Sequence, residues 1–300
     1  MAERRLRLLF VKDVMTALLL DGRGLAKELK AQISQQGAEF KARTGYAPQL
    51  VVIQVAGNAA SDWYVRSIRR SCEGVGFGFA LQRLPETSDQ ATLEAAIQQA
   101  SNDPAIHGII IQMPLPSQLS ADGAVAALNP QKDVDGLHPT NAGRLAQGLT
   151  ALVPNTPAGG MALLDRYQIN LAGKHAVVVG RSNVVGKPLA QLLLARHATV
   201  TICHSRTANL AEVIRQGDIV AAAVGKAGLV TGEMLKPGAV VLDFGINEVA
   251  EGQVVGDVDW ESASKVASAI TPVPGGTGPV TNMMLLQNTL QAAQSLAEQA

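Results

Sequence analysis

The chain has 300 residues, with 25 basic and 25 acidic side chains and no net charge at neutral pH. That balance supplies no basic field for nucleic acid or an anionic membrane, and 3% aromatic content argues against base-stacking platforms. The length suffices for two domains. The two cysteines, Cys72 and Cys203, read as buried small residues of a reducing compartment rather than a disulfide or metal pair.

The first twenty residues mix basic side chains with LLFVKDVMTALLL. Lys12 and Asp13 break the apolar run and no small-residue cleavage site follows. The segment reads as a leader, with Met15 as an alternative start, and not as a membrane span. No other targeting signal is present in the sequence, so the protein is expected in the cytoplasm, without a nucleic-acid or membrane partner.

Residues 25 to about 43 are amphipathic and end at Gly45, which predicts a helix. A strand at 50–55 and a turn at 57–61 follow, and Ser61 or Asp62 caps a helix to about 73. Then come a strand at 77–84, a helix at 92–100, a buried strand at 108–113 and a helix at 121–128. Residues 129–151 are rich in turn formers and read as a loop ending at a domain border. A helix begins at Thr156 and Pro157 and runs to about 167. Strands are predicted at 176–179, 199–203, 219–223 and 239–244, with a short extended piece at 254–258. Residues 269–279, AITPVPGGTGP, read as a hinge, and a last helix spans 280–298 with Thr281 as its cap.

Strands alternating with helices imply an α/β fold with parallel sheets. The expected division is a front domain at 1–150, joined by the helix at 280–300, and a nucleotide domain at 151–279.

The stretch 176–194, AVVVGRSNVVGKPLAQLLL, reads as strand, glycine turn and helix N-terminus. Free backbone N–H groups and the helix dipole make such a turn an anion site. The spacing is G-x-S-x-x-x-G, with Gly180, Arg181, Ser182 and Gly186, and not the usual G-x-G-x-x-G. The next strand ends in His204, Ser205, Arg206 and Thr207 with no carboxylate. An NAD site places Asp or Glu there for the ribose hydroxyls. Hydroxyls and guanidinium groups suit a 2′-phosphate, which favours NADP. The same residues also suit a helix start.

In doubly wound sheets ligands bind beyond the carboxyl ends of the strands. That rule selects Tyr64, Gln112, residues 133–136, the 180–186 turn and residues 245–247. The Gln112 amide both donates and accepts, which suits a heterocycle edge; capping the strand end is the equal alternative. Asp133 or Asp135 suits a pterin-like N–H pair, and a solvated turn is the other reading. The histidines and acidic residues show no metal-ligand spacing.

Taken together, the chain resembles the bifunctional methylenetetrahydrofolate dehydrogenase/cyclohydrolase family. The resemblance runs from about Leu18 to the C-terminus. It is carried by LLLDGRGLA (18–26), YV (64–65), GIIIQMPLP (108–116), KDVDG (132–136), NAGRL (141–145), VVVGRSNVVGKP (177–188), CHSRT (203–207), DFGIN (243–247), GDV (256–258) and TPVPGGTGPVT (271–281). It implies two α/β domains, the second a Rossmann-type doubly wound parallel sheet. A folate cleft lies between them, the C-terminal helix returns to the first domain, and the chain is a homodimer. It implies NADP as cofactor and a reduced folate as substrate. By the same resemblance, Tyr64 stacks on the pterin side, Gln112 assists at the reactive carbon and Asp135 holds the pterin. Gly180, Arg181, Ser182, Gly186, Ser205, Arg206 and Ile246 meet the cofactor, and Pro274, Gly276, Gly278 and Pro279 line the folate site. Asn155 stands where the family has cysteine and Thr277 where it has valine, neither expected to alter the chemistry.

One departure bears on mechanism. The family motif is Y-x-x-x-K, and here Ile68 follows Tyr64 by four. Residues four apart share a helix face, and Arg69 is turned about 100° away. A guanidinium does not serve as a base. Hydride transfer depends on positioning, whereas hydrolysis needs proton transfer. The expectation is therefore a dehydrogenase with weak or absent cyclohydrolase. The alternatives are a fully bifunctional enzyme using Arg69 or a water, a non-catalytic folate- and nucleotide-binding protein, and an amino-acid or shikimate-type dehydrogenase. The last should lack the KDVDG and PGGTGP elements.

Overall fold

The computed structural model describes residues 17–56, 59–250 and 252–299. The predicted leader, Met15, and Gly57 with Asn58 of the predicted turn lie outside the described residues.

The chain enters on β1 (Leu18–Leu19) and turns into α1 (Gly22–Thr44). Asp21 opens α1 by accepting the Arg23 amide, and Gly45 closes it in the left-handed region. There follow β2 (Gln49–Val55), α2 (Ala59–Glu73), β3 (Gly78–Leu84), α3 (Gln90–Asn102), β4 (Gly108–Ile111) and α4 (Ala121–Ala126). Next are α5 (Pro139–Ala146) and α6 (Asn155–Arg166). The second half runs β5 (His175–Val179), α7 (Gly186–Ala195), β6 (Thr199–Cys203), α8 (Leu210–Ile214), β7 (Ile219–Ala222) and β8 (Val240–Asp243). It ends with β9 (Asn247–Ala250), β10 (Gln253–Val255), α9 (Trp260–Ala263), β11 (Ala269–Ile270) and α10 (Thr277–Ala297).

Two parallel sheets carry the molecule. The smaller has the order β3-β2-β4 and the larger β1-β11-β8-β7-β5-β6. From β5 the chain steps outward to β6, then crosses back to β7 on the other side. This reversal is a topological switch point, and it puts the carboxyl end of β5 at a crevice. The architecture is the expected pair of α/β units, with a doubly wound second sheet.

The cores follow the strand alternation. Leu50, Val52 and Ile110 face α1, α2 and α10 through Ile33, Ile68 and Leu286. Ile53, Ile109 and Ile111 face α3 and α4. In the larger sheet Val178 meets Leu164 and Leu189, while Val177 and Val179 meet Ile214. Each such side chain contributes about 1.5–3 kcal/mol relative to exposure. Helix α10 packs on α1, α2 and α6, so the C-terminal helix returns to the front of the molecule.

The structure corrects several sequence expectations. Helix α5 lies inside the segment read as a loop; Pro139 starts it, and the His138 ring accepts the Thr140 amide. That cap is a histidine, which turn-former counting does not register. Helix α2 begins at Ala59, inside the predicted turn. Helix α10 begins at Thr277, so Thr281 is no cap; its hydroxyl donates back to the Thr277 carbonyl. Gly278 and Pro279 therefore form the first turn of a helix, where proline loses no hydrogen bond. The predicted hinge contains β11, and the extended piece pairs with β9 as an antiparallel hairpin. Strand β1, which the sequence reading passed over, joins the larger sheet beside β11.

Candidate functional site

The glycine turn between β5 and α7 is built by close backbone approach. Gly180 has φ +136°, and a Cβ there would meet the Ala223 carbonyl. A Cβ on Gly186 would run into the Gly180 carbonyl. Those two contacts explain why glycines flank the turn at six-residue spacing. The Ser182 hydroxyl accepts the amides of Val185 at 3.1 Å and Gly186 at 3.4 Å. Ser182 therefore braces the turn itself. Among the described residues, the backbone N–H groups of residues 181–184 have no acceptor within the chain. Such open donors at the start of a helix suit an anion.

The adjacent strand end supplies charge. The Gly180 amide donates to the Cys203 carbonyl, so Arg181 lies beside the segment after β6. There the Thr207 hydroxyl accepts the His204 amide, and the His204 ring accepts the Arg206 amide. Helix α8 starts only after Asn209, so residues 205–207 form a separate turn. Arg181, Ser182, Ser205 and Arg206 are all exposed.

Two buried carboxylates, which sequence reading missed, shape the neighbouring loops. Asp257 accepts the amides of Val224, Gly225 and Lys226 and the Asn247 side chain. Asp243 accepts the amides of Gly245, Asp257 and Val258. Burial raises the Asp243 carboxyl to about 6 against the pull of those amides. Ile246, between these anchors, projects with 73% of its surface exposed.

On the front half, Gln112 ends β4, and its amide still donates to the Ile53 carbonyl in the ladder. Its side chain is buried; Nε2 donates to the Met113 carbonyl at 2.7 Å, and among the described residues Oε1 has no partner. A buried, unpaired acceptor is costly unless a ligand or water uses it. Gln54, the penultimate residue of β2, also leaves Oε1 without a partner among the described residues. Its Nε2 donates to Asp62 at 2.8 Å, and Asp62 also pairs with Arg83. This contact ties the start of α2, and with it Tyr64, to the sheet.

The structure distinguishes the two loop carboxylates. Asp133 is 1% exposed, and its Oδ2 accepts the His138 amide and the Asn141 side chain. It holds the loop. Asp135 is half-buried and bonded through Oδ1 to Asn155 Nδ2 at 2.8 Å. Among the described residues its other oxygen has no hydrogen-bond partner. Burial, and then the Asp133 charge, push the Asp135 carboxyl up to about 7. Burial, and then the Asp135 charge, hold the Tyr64 phenol above its ordinary range. Lys132 points away, donating to the Asp103 carbonyl.

The segment before α10 sits at the end of β8. The Thr277 hydroxyl donates to the Asp243 carbonyl at 3.1 Å. Gly276 packs its backbone against Gly22, while Pro274 and Gly278 are exposed. The loops of the two halves also meet. Gly136 and Leu137, beside Asp135, and Asn183 and Lys187, beside Ser182, line one hollow of about 380 Å³.

Ile68 is 0% exposed and belongs to the core of the smaller sheet with Val65 and Cys72. No proton-transferring group stands at that position. Among the described residues no cluster of three or more His, Cys, Asp or Glu is arranged for a metal ion, and no helix is long and apolar enough to cross a membrane.

Comparison with known proteins agrees with this geometry. Residues 20–135 match the catalytic domain of the tetrahydrofolate dehydrogenase/cyclohydrolase family, and residues 154–297 match its NAD(P)-binding domain. The bifunctional protein FolD of Roseiflexus sp. (strain RS-1) is 58% identical over 93% of this chain and 97% of its own. The FolD methylenetetrahydrofolate dehydrogenase/cyclohydrolase of Campylobacter jejuni superposes with a TM-score of 0.91 at 42% identity, over 93% of this chain and 99% of that one. The Trypanosoma brucei enzyme, solved with NADP cofactor and an inhibitor, gives 0.90 at 37% identity, over 95% and 99%. With both halves matched in order and a shared fold, the chain belongs to the tetrahydrofolate dehydrogenase/cyclohydrolase family of enzymes.

Proposed function

We propose that this enzyme oxidises 5,10-methylenetetrahydrofolate with NADP, and that its hydrolysis of the methenyl product is weak or lost. The observation that supports the first part is that Gly136 and Leu137, next in the chain to Asp135, and Asn183, next to Ser182, line one hollow between α5 and α7. NADP, when bound, supplies the hydride acceptor. Residues 181–184 offer amides to its pyrophosphate, and Arg181, Ser205 and Arg206 offer charge and a hydroxyl to a 2′-phosphate. Asp135 accepts the pterin N–H pair through its free oxygen. Gln112 turns its unpaired carbonyl toward the reacting end, and neutral Tyr64 stacks alongside. Pro274, Gly276, Gly278 and Pro279 border the folate, and Ile246 meets the cofactor.

The second part rests on Ile68. Hydrolysis must take a proton from water and deliver one to the departing nitrogen, and an aliphatic side chain does neither. Full bifunctionality is the competing reading, favoured by the name and 58% identity of the Roseiflexus protein. A homodimer is carried forward from the family resemblance and a cytoplasmic place from the sequence reading, and both thiols are free and buried. A paired assay on one purified sample tests the proposal. NADP reduction with methylenetetrahydrofolate is expected, with methenyl hydrolysis no faster than the buffer reaction. Hydrolysis matching the dehydrogenase rate would establish the competing reading, and no NADP reduction would end the proposal.

A further inference from the structure

Asn155 was expected to be a neutral replacement, yet its side chain bridges the 132–136 loop and helix α10. Nδ2 donates to Asp135 Oδ1 at 2.8 Å, and Oδ1 accepts from Asn288 Nδ2 at 3.0 Å. Asn288, on α10, shares its two N–H groups among this oxygen and the carbonyls of Val134 at 2.9 Å and Val153 at 2.8 Å. Asn155 and Asn288 are 6% and 7% exposed. An amide passes a hydrogen bond on, because it accepts on one atom while donating from another. A thiol is a weak donor and a weak acceptor, so a cysteine at 155 would transmit far less.

We propose that Asn155 is a positioning residue for the pterin-binding carboxylate: with Asn288 it forms a two-amide relay that holds Asp135 by one oxygen and leaves the other free for substrate. The inference rests on the proposed role of Asp135. The relay joins α10, the start of α6 and the 132–136 loop, which are far apart in sequence. It fixes the carboxylate rotamer before substrate arrives, so less ordering accompanies binding. It also favours the ionised form, since the Asn155 N–H bonds a carboxylate more strongly than a carboxylic acid. The titratable groups facing Asp135 are Tyr64 from α2 and Asp133 on its own loop. From α6 the Asn155 amide bonds Asp135, and Asn288 of α10 backs it.

The test compares Asn155→Ala, Asn155→Cys and Asn155→Ser with the parent protein. The acid limb of kcat/KM for methylenetetrahydrofolate is expected to move up by about one pH unit in Asn155→Ala. It should move partly in Asn155→Cys and least in Asn155→Ser, which keeps a hydroxyl donor. KM for the folate should rise about tenfold while KM for NADP stays the same. The carboxyl titration of Asp135, followed by carbon NMR on labelled aspartate and assigned with Asp135→Asn, should move in the same direction without any turnover. An unchanged NMR titration with only a lowered melting temperature would overturn the relay. A parent protein that fails to reduce NADP would instead overturn the proposed function, leaving the NMR titration to decide the relay alone. Asn288→Ala provides a second variant, expected to shift Asp135 in the same sense but less.

Discussion

Restoring a lysine at position 68 is the sharpest test of how the two activities divide. Ile68 is fully buried beside Val65, Cys72 and Leu286. Four residues rise about 6 Å along a helix, and helical side chains lean toward the N-terminus. A lysine stem of four methylenes covers the same distance. In Ile68→Lys the stem would therefore replace the isoleucine in the core, and the ammonium would emerge level with Tyr64. Desolvation there lowers its proton affinity toward neutrality, which suits proton transfer. Hydrolysis of the methenyl compound should rise roughly 10²–10⁴-fold. NADP reduction should stay within about threefold, because hydride transfer depends on positioning. Stability should fall by about 1–3 kcal/mol, since a branched apolar side chain gives way to a partly desolvated charge. The assay follows loss of the methenyl chromophore against a buffer blank, with melting temperatures alongside. Ile68→Met, which fills the space without an amine, should leave hydrolysis at the parent rate. The reasoning is refuted if the parent hydrolyses as fast as Ile68→Lys, or if Ile68→Met gains as much.

Three further outcomes follow from the same geometry. Asp135 is held at about 7 by burial and Asp133, above its unfolded value of 3.8. Its charge therefore costs stability at pH 8, and the cost is relieved as pH falls through 7. Asp135→Asn should raise stability by roughly 1–3 kcal/mol at pH 8, with a smaller gain at pH 5, in melting curves at both values. In the parent, KM for the folate should climb as pH drops below about 7. Gly186→Ala drives a methyl group into the Gly180 carbonyl, so KM for NADP should rise more than about tenfold, with folate binding retained in equilibrium dialysis. Arg181→Ala and Arg206→Ala should each raise KM for NADP about 10-fold to 100-fold and barely change KM for NAD, as lost charge-assisted bonds to a phosphate predict.

The strands and the glycine turn were legible because their signals are local. Apolar runs at 176–179 and 108–111 and glycines at 180 and 186 name a strand, a turn and a close approach without reference to distant residues. Ile68 was legible too, because a four-residue offset fixes a shared helix face. Helix α5 was missed because its cap is a histidine and its segment is full of turn formers. The start of α10 was missed because Pro279 looks like a breaker, yet it lies in a first turn where no amide partner is needed.

The candidate site divides the same way. Sequence alone put Tyr64, Gln112 and the KDVDG loop at strand ends, but residue types and spacing left the choice between Asp133 and Asp135 open. The family resemblance already favoured Asp135; the fold adds that Asp133 is engaged with the His138 amide and Asn141, while one oxygen of Asp135 has no partner among the described residues. The Asn155–Asn288 contact joins residues 133 positions apart, and no local pattern encodes it. Periodicity and turn chemistry are properties of neighbours in the chain, so the sequence states them directly. Which polar groups are consumed inside the protein and which remain for a ligand depends on pairings made across it, and those exist only once the two sheets and the last helix have packed.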